Sequence, residues 1–307
     1  MEKNLHIVTG NKGFVGINLS KYFKEKNKKI IGVSRKPDLN EVDYNQLDKK
    51  MLDGAKSFIH LAGKAHDLKK TSEDSEYFKV NTELTKTLFN QFLESECEVF
   101  IYVSSVKAVA DEVDGFLTEE TTPNPITVYG KSKLAAENYI LSKKIPKNKR
   151  VYILRPCMVH GPFNKGNLNL LYTFVSKGVP YPFGKFENKR SFVSVDNLCF
   201  IVDELIENNK ISSGVYNIAD DESLSTNQLV LIIGEVVNKK AKILNLPKTF
   251  VKLIAKLGDV LPLPIDSEKV QKLTENYEVS NLKIKTAMQK NLPLSAEKGL
   301  KKTIASF

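Results

Sequence analysis

Two rhythms of hydrophobic and polar positions alternate along the first half of the chain. Short β-branched and aromatic runs, "LHIVTG", "KIIGVS", "SFIHLAG", "VFIYVSS" and "RVYILRP", read as strands. Between them the apolar positions recur at helical spacing. Val15, Leu19, Tyr22 and Phe23 share one face, and so do Tyr77, Val80, Leu84 and Leu88 within "SEYFKVNTELTKTLFNQFLES". Strands that alternate with amphipathic helices predict a parallel sheet wrapped by helices. Beyond about residue 160 prolines and glycines cluster in "HGPFNKGN" and "GVPYPFGKF", and short mixed elements follow. The most apolar late segment, "FVKLIAKLGDVLPLPI", is interrupted by Lys252, Lys256 and Asp259. It predicts an amphipathic helix and a proline-rich turn, and no membrane insertion is expected.

The first strand runs directly into "VTGNKGFVG", which places Gly10, Gly13 and Gly16 three apart where a helix opens. Glycine permits the tight turn, and the backbone N–H groups and helix dipole then approach a pyrophosphate closely. Gly10, Lys12, Gly13, Phe14, Val15 and Gly16 are therefore the candidate phosphate cradle. The expected fold is α/β: a Rossmann doubly wound parallel sheet over residues 1–160 and a smaller C-terminal substrate-binding α/β lobe over 161–307. Segments near 191–220 are expected to return to the first lobe. Where NAD-binding folds usually carry an acidic residue after the second strand, this chain has Ser34, Arg35 and Lys36. That basic turn suits a 2′-phosphate, so NADP(H) is favoured with NAD(H) as the alternative. Asp43, after a short third strand, is a candidate for the adenine amino group or for a plain strand-end role.

Composition narrows the partners. The 307 residues carry a net charge of +10, compatible with nucleic acid, an anionic membrane surface or phosphorylated small molecules. The densest basic cluster, "KKIPKNKR", lies between a helix and a strand and reads as a solvated connector. Basic residues do not interleave with aromatics, so no nucleic acid is expected. Cys97, Cys157 and Cys199 are scattered and odd in number, and the four histidines are equally scattered, which suits a reducing cytoplasm and no metal site. The N-terminal stretch lacks the basic-then-apolar pattern of a signal peptide.

"VYGKSK" sets Tyr129 one helical turn before Lys133. A free phenol ionises near pH ~10. At about 5 Å and an effective dielectric of about 20, an ammonium on the same helix face stabilises the phenolate by roughly 3 kcal/mol, or about two pKa units. Taken with "TGNKGFVG", "HLAG", "VN" at Val80–Asn81, "YVSSVKAV", "LRPCMVHGP" and "NKRSFVSVDN", the chain resembles the extended short-chain dehydrogenase/reductases, the nucleotide-sugar epimerase/dehydratase family. The resemblance covers almost the whole sequence. It implies a catalytic set of Ser105, Tyr129 and Lys133, cofactor contacts at Leu61, Ala62 and Gly63, and a UDP-sugar substrate. It further implies that Arg190 grips the nucleotide diphosphate, that Asn167 contacts the same phosphates, and that Asn81 ties backbone near the site. Lys64, His66 and Lys107 are candidates for lining the sugar pocket. A homodimer through segments 76–95 and 127–145 is also implied.

Dehydratases of this family need a further acid and base, usually Asp-Glu directly after the catalytic Ser/Thr. Here Val106 and Lys107 stand there, which argues against dehydration. Transfer of hydride at sugar C4 remains. A 4-ketoreductase acting on a UDP-4-keto-6-deoxy-N-acetylhexosamine in bacterial surface-polysaccharide synthesis is the leading expectation, supported by the basic turn and by Met158 or its neighbours where galactose epimerases carry asparagine. A 4-epimerase with tightly held NAD is the alternative. A cofactor-sensing binding protein is the non-enzyme alternative, and the intact Ser105/Tyr129/Lys133 set argues against it.

Overall fold

In the computed structural model, which describes residues 4–39, 41–64, 73–164, 167–261 and 266–307, strand β1 (Leu5–Thr9) leads through the glycine turn into α1 (Phe14–Glu25). β2 (Lys29–Val33) and the two-residue β3 (Glu41–Val42) extend the sheet to one side. After α2 (Lys49–Asp53), β4 (Ser57–His60) crosses to the other side of β1. α3 (Asp74–Tyr77) passes through a π-helical turn, Phe78–Glu83, into α4 (Leu84–Glu94) and then β5 (Val99–Val103). The short β6 (Phe116–Leu117), α5 (Val128–Leu141) and β7 (Arg150–Pro156) complete the first half. From the second half, β8 (Met158–His160) pairs with β9 (Phe192–Ser194), and β10 (Gly214–Ile218) joins the main sheet beside β7.

The resulting seven-stranded sheet has the order β10-β7-β5-β4-β1-β2-β3 and every pairing is parallel. Strand order reverses between β1 and β4, the place where open α/β sheets leave a crevice at the strand C-termini. Alternation along the strands fills both faces. Val8, Val99 and Ile101 point toward α1 and α7 (Val195–Glu207), whereas Ile7, Phe100 and Tyr102 point toward α4 and α5.

The helical register predicted for 77–88 holds only in part. Tyr77 and Leu88 are buried, but the wider π turn rotates Asn81, Thr82 and Thr85 inward and leaves Val80 and Leu84 only partly covered. That rotation puts Asn81 beside α5.

A second core lies in the C-terminal half. α6 (Asn167–Ser176), α8 (Thr226–Val236), α9 (Lys248–Gly258), α10 (Ser267–Thr274) and α12 (Ala296–Ile304) gather around Phe183, Leu229, Ile233, Val251 and Leu300. Between α10 and α12, β11 (Glu278–Val279) pairs with β6, and α11 (Leu282–Met288) packs beside β10. No helix among the described residues is long and apolar enough to cross a membrane.

Candidate active site

The cradle is built from backbone. Gly10 has φ 68°, in the left-handed region, and a Cβ there would lie 2.7 Å from the Ala62 amide nitrogen. The Gly13 N–H donates to the Gly10 carbonyl at 2.9 Å, and Gly13 starts α1 with no side-chain cap on the first-turn amides. A Cβ on Gly16 would strike the Gly10 carbonyl and Asn11, so the helix sits against the turn only because residue 16 is glycine. The Leu61 N–H donates to the Thr9 carbonyl and the Ala62 N–H to Thr9 Oγ1, both at 3.2 Å, which aligns Leu61, Ala62 and Gly63 beside the cradle. Uncapped amides at a helix N-terminus fit a pyrophosphate. Phe14 and Val15 open that helix, and Asn18 ties it to the Pro162 carbonyl at 3.2 Å.

Beside the cradle, at the end of β2, the structure places a carboxylate that no motif marks. Glu41 accepts from the Asn11 amide at 2.5 Å, from the Asp38 N–H at 2.9 Å and from Ser34 Oγ at 3.2 Å. Lys12 Nζ lies 3.0 Å from Glu41 and 2.8 Å from Asp38. Burial would raise the Glu41 carboxyl, but the Asp38 amide, Lys12, Asn11 and Ser34 together outweigh it and lower it to about 2. A fixed carboxylate therefore sits against Ser34, while Arg35 and Lys36 remain exposed. The side chain of Asp43 accepts from the Asn45 N–H at 2.9 Å, capping a short 3-10 turn. The only sequence signal for Glu41 is its place in the third strand, two residues before Asp43.

Ser105, Tyr129 and Lys133 converge from two elements. Ser105 follows β5 and caps a 3-10 turn, accepting from the Lys107 N–H at 3.2 Å. Thr127 caps α5 and sets Tyr129 in its first turn. The half-buried Tyr129 phenol is pushed up by burial, and the Ser105 hydroxyl hydrogen-bonded to it offsets this in part. The depression expected from Lys133 is not what dominates. Lys133 Nζ instead donates to the Val103 carbonyl at 3.0 Å and lies 4.9 Å from the Tyr102 ring centroid. Burial lowers Lys133 to about 8, and Glu137, one turn further along α5, works against that shift. Glu137 is fully buried and takes a bidentate pair from Arg155, with Nε donating to Oε1 at 3.2 Å and Nη2 to Oε2 at 2.6 Å, as well as the Ser104 hydroxyl.

Asn81 fixes the floor of the site. Its Oδ1 accepts from the Lys64 N–H at 2.7 Å and its Nδ2 donates to Ser132 Oγ at 2.9 Å. A Cβ on Gly63 would come within 3.1 Å of both Asn81 Oδ1 and Lys133 Nζ. His60 is buried, lowered to about 3, and bridges Thr9 Oγ1 at 2.7 Å and Thr85 Oγ1 at 2.9 Å. It is a neutral brace.

Lys107, from the first half of the chain, and Arg190, from the second, approach one wall. Lys107 Nζ donates to the Asp111 carbonyl at 2.8 Å and lies 4.6 Å from the Tyr277 ring centroid. Arg190 exchanges backbone hydrogen bonds with Leu224 at 3.0 and 2.9 Å, and its guanidinium is 3.6 Å from Glu275. Burial lowers both cations, and Arg190 lowers Lys107 further while nearby carboxylates oppose this. Tyr277 and Glu275, which join these two cations, carried no motif. Lys64 turns away to pair with Glu76 and lies over Tyr77. Asn167 opens α6. His66 falls outside the described residues, and among those described no cluster of three or more His, Cys, Asp or Glu side chains is disposed to hold a metal.

Comparison with known proteins agrees with this architecture. Residues 6–219 match the model of the NAD dependent epimerase/dehydratase family. A UDP-glucose 4-epimerase of Vibrio cholerae is 30% identical over 98% of this chain and 94% of its own length. An N-acetyl-alpha-D-glucosaminyl-diphospho-ditrans,octacis-undecaprenol 4-epimerase of Escherichia coli O157:H7 is 27% identical over 91% of this chain and 84% of its own. The solved UDP-N-acetylglucosamine 4-epimerase from Bacillus cereus shares the fold, with a TM-score of 0.76 over 98% of both chains at 19% identity. With the family match spanning most of the sequence and the glycine turn, sheet order and α5 all in place, the chain belongs to the NAD-dependent epimerase/dehydratase family.

Proposed function

We propose that this enzyme is an NAD(P)-dependent 4-ketoreductase that acts at C4 of a UDP-linked 4-keto-6-deoxy-N-acetylhexosamine in bacterial surface-polysaccharide synthesis. The observation that carries the reading is the placement of Ser105 at the turn after β5 against Tyr129 and Lys133 on α5, with burial raising the Tyr129 phenol. A protonated phenol is the form that delivers a proton to the C4 oxygen as the ketone is reduced. When bound, the nicotinamide cofactor supplies the hydride. Ser105 donates a hydrogen bond to the same oxygen and steadies its developing charge. Lys133, charged below about pH 8, places a cation behind the tyrosine. Arg190 and Lys107 offer two partly desolvated cations to the diphosphate and the sugar's polar groups.

The exposed Arg35–Lys36 turn supports NADP(H) as the cofactor. Glu41 favours the second reading, a UDP-hexose or UDP-N-acetylhexosamine 4-epimerase with tightly held NAD, because a carboxylate beside Ser34 suits ribose hydroxyls better than a 2′-phosphate. The 4-epimerase names of the curated relatives support it as well. Pairing of α4 and α5 with a second copy, tested by sedimentation, is part of the same proposal.

Incubation with NADPH and a UDP-4-keto-6-deoxy-N-acetylhexosamine separates the two. Stoichiometric NADPH loss with a 4-hydroxy product is expected of the reductase. Interconversion of UDP-GlcNAc and UDP-GalNAc without added reductant, and no NADPH loss, would assign the epimerase.

A further inference from the structure

Helix α9 presents three faces, and only one is accounted for by the fold. Val251 and Ala255, spaced one turn apart, are buried in the C-terminal core. Lys248, Lys252 and Lys256 form an exposed row at the same spacing on a second face. On the third, Phe250, Leu253 and Leu257 follow one another at three- and four-residue steps, and Val260 and Leu261 continue the run in the turn after the helix, where the Leu261 N–H still donates to the Leu257 carbonyl at 2.9 Å. These five residues are 50–86% exposed. Isolated exposed leucines are ordinary, but a continuous apolar stripe on one helix is not.

We propose that this stripe is a docking surface for an anionic lipid bilayer, with α9 lying in the interface plane. An apolar face of Phe and Leu bordered by lysines is the composition of helices that settle at the headgroup boundary. The helix is far too short to span, since eleven residues rise only about 16 Å. Charge selects the occupant. No acidic residue lies within Lys248–Gly258, and Asp259 at its end is taken up by Ser267, whose N–H and Oγ donate to it at 2.8 and 2.6 Å. Exposed Lys239, Lys240 and Lys242 precede the helix, on a chain of net charge +10. Two copies meeting through this face would bring like-charged lysine rows together, whereas anionic headgroups complement them.

The position of the stripe gives the docking a consequence. α9 packs on α10, and the chain leaving α10 supplies Glu275 and Tyr277 to the Lys107–Arg190 wall. Docking through α9 therefore seats the substrate-binding half on the membrane surface.

The test uses the full chain and large unilamellar vesicles of phosphatidylcholine, with or without roughly one third phosphatidylglycerol. Co-sedimentation with the anionic vesicles only is expected. Leu253→Ser/Leu257→Ser and, separately, Lys252→Glu/Lys256→Glu should each lower the bound fraction at least ~tenfold. All four side chains are exposed, so the thermal transition and cofactor binding should be unchanged. The sequence contains no tryptophan, so Leu257→Trp adds a probe without background, and its emission should shift to the blue on anionic vesicles. The proposal is overturned by absence of binding to anionic vesicles, by binding that both double variants retain, or by an unshifted Leu257→Trp emission. Dimerisation that the leucine variant abolishes, without any vesicle binding, would assign the face to a second copy instead.

Discussion

The two ends of the candidate site are built by different means. The cofactor end is a backbone device, in which the turn at Gly10, the uncapped start of α1 and the contacts of Thr9 with Leu61 and Ala62 come from short contiguous segments. The substrate end is a side-chain device. Lys107, Arg190, Glu275 and Tyr277 meet there only because β11 pairs with β6 and Arg190 bridges both Leu224 and Tyr277. A backbone device is robust to most substitutions apart from its glycines. A side-chain device should fail, or change its preference, one residue at a time.

The contrast is sharpest where the two ends meet. Tyr129→Phe removes the proposed proton donor and leaves the glycine cradle intact, so turnover should fall at least ~100-fold with cofactor affinity retained. Stopped-flow turnover alongside fluorescence titration of cofactor checks both halves of that statement. Near-normal turnover would remove Tyr129 from the chemistry.

Next in size is Glu137→Gln. Arg155 would keep a buried charge without its carboxylate, which costs about 3 kcal/mol of stability, measurable by urea unfolding. The same change reaches the site through Lys133, which burial lowers to about 8 while Glu137 opposes the shift. Without the carboxylate Lys133 loses its proton at lower pH, so the alkaline limb of kcat/KM should move toward acid. A merely structural role for Glu137 would lower stability and leave that limb in place.

The parts that could be read in the sequence were local. "LHIVTG" and "VTGNKGFVG" specify strand, turn and helix within a dozen residues, and β1, Gly10 and α1 stand there. "RVYILRP" became β7. The π turn at Phe78–Glu83 was not legible, because a one-residue change in winding leaves no compositional mark, yet it decides that Asn81 rather than Val80 faces α5. Glu41 was missed for a related reason. Its role depends on β3 pairing with β2, which brings it against Ser34, and that pairing joins residues separated by an exposed turn. Tyr277 and Glu275 needed a strand pairing across more than 150 positions, beyond the reach of periodicity.

Arg190 tests the substrate end alone. Arg190→Ala should raise KM for the nucleotide sugar about tenfold, in line with loss of a charged hydrogen bond, and change kcat little. Equal loss in both would place the arginine in the chemical step. The backbone bridge to Leu224 survives the substitution, so the fold is expected to persist.

The smallest effects should appear at the adenosine end, the one place where the backbone device is finished by side chains. Arg35→Asp puts a negative charge into the exposed turn and should move preference from NADPH toward NADH, while Glu41→Gln removes the carboxylate beside Ser34 and should move it the other way. Each shift is expected to be only about fivefold, since an exposed charge such as that of Arg35 interacts by ~1 kcal/mol or less and the Glu41 carboxylate is already paired with Lys12. Their opposite signs make the pair informative. If both variants change affinity for NADH and NADPH equally, neither side chain reads the 2′ position, and cofactor choice rests wholly with the backbone cradle. If Glu41→Gln alone has an effect, the carboxylate rather than the basic turn sets the preference, and the tightly held NAD of the epimerase reading gains the advantage.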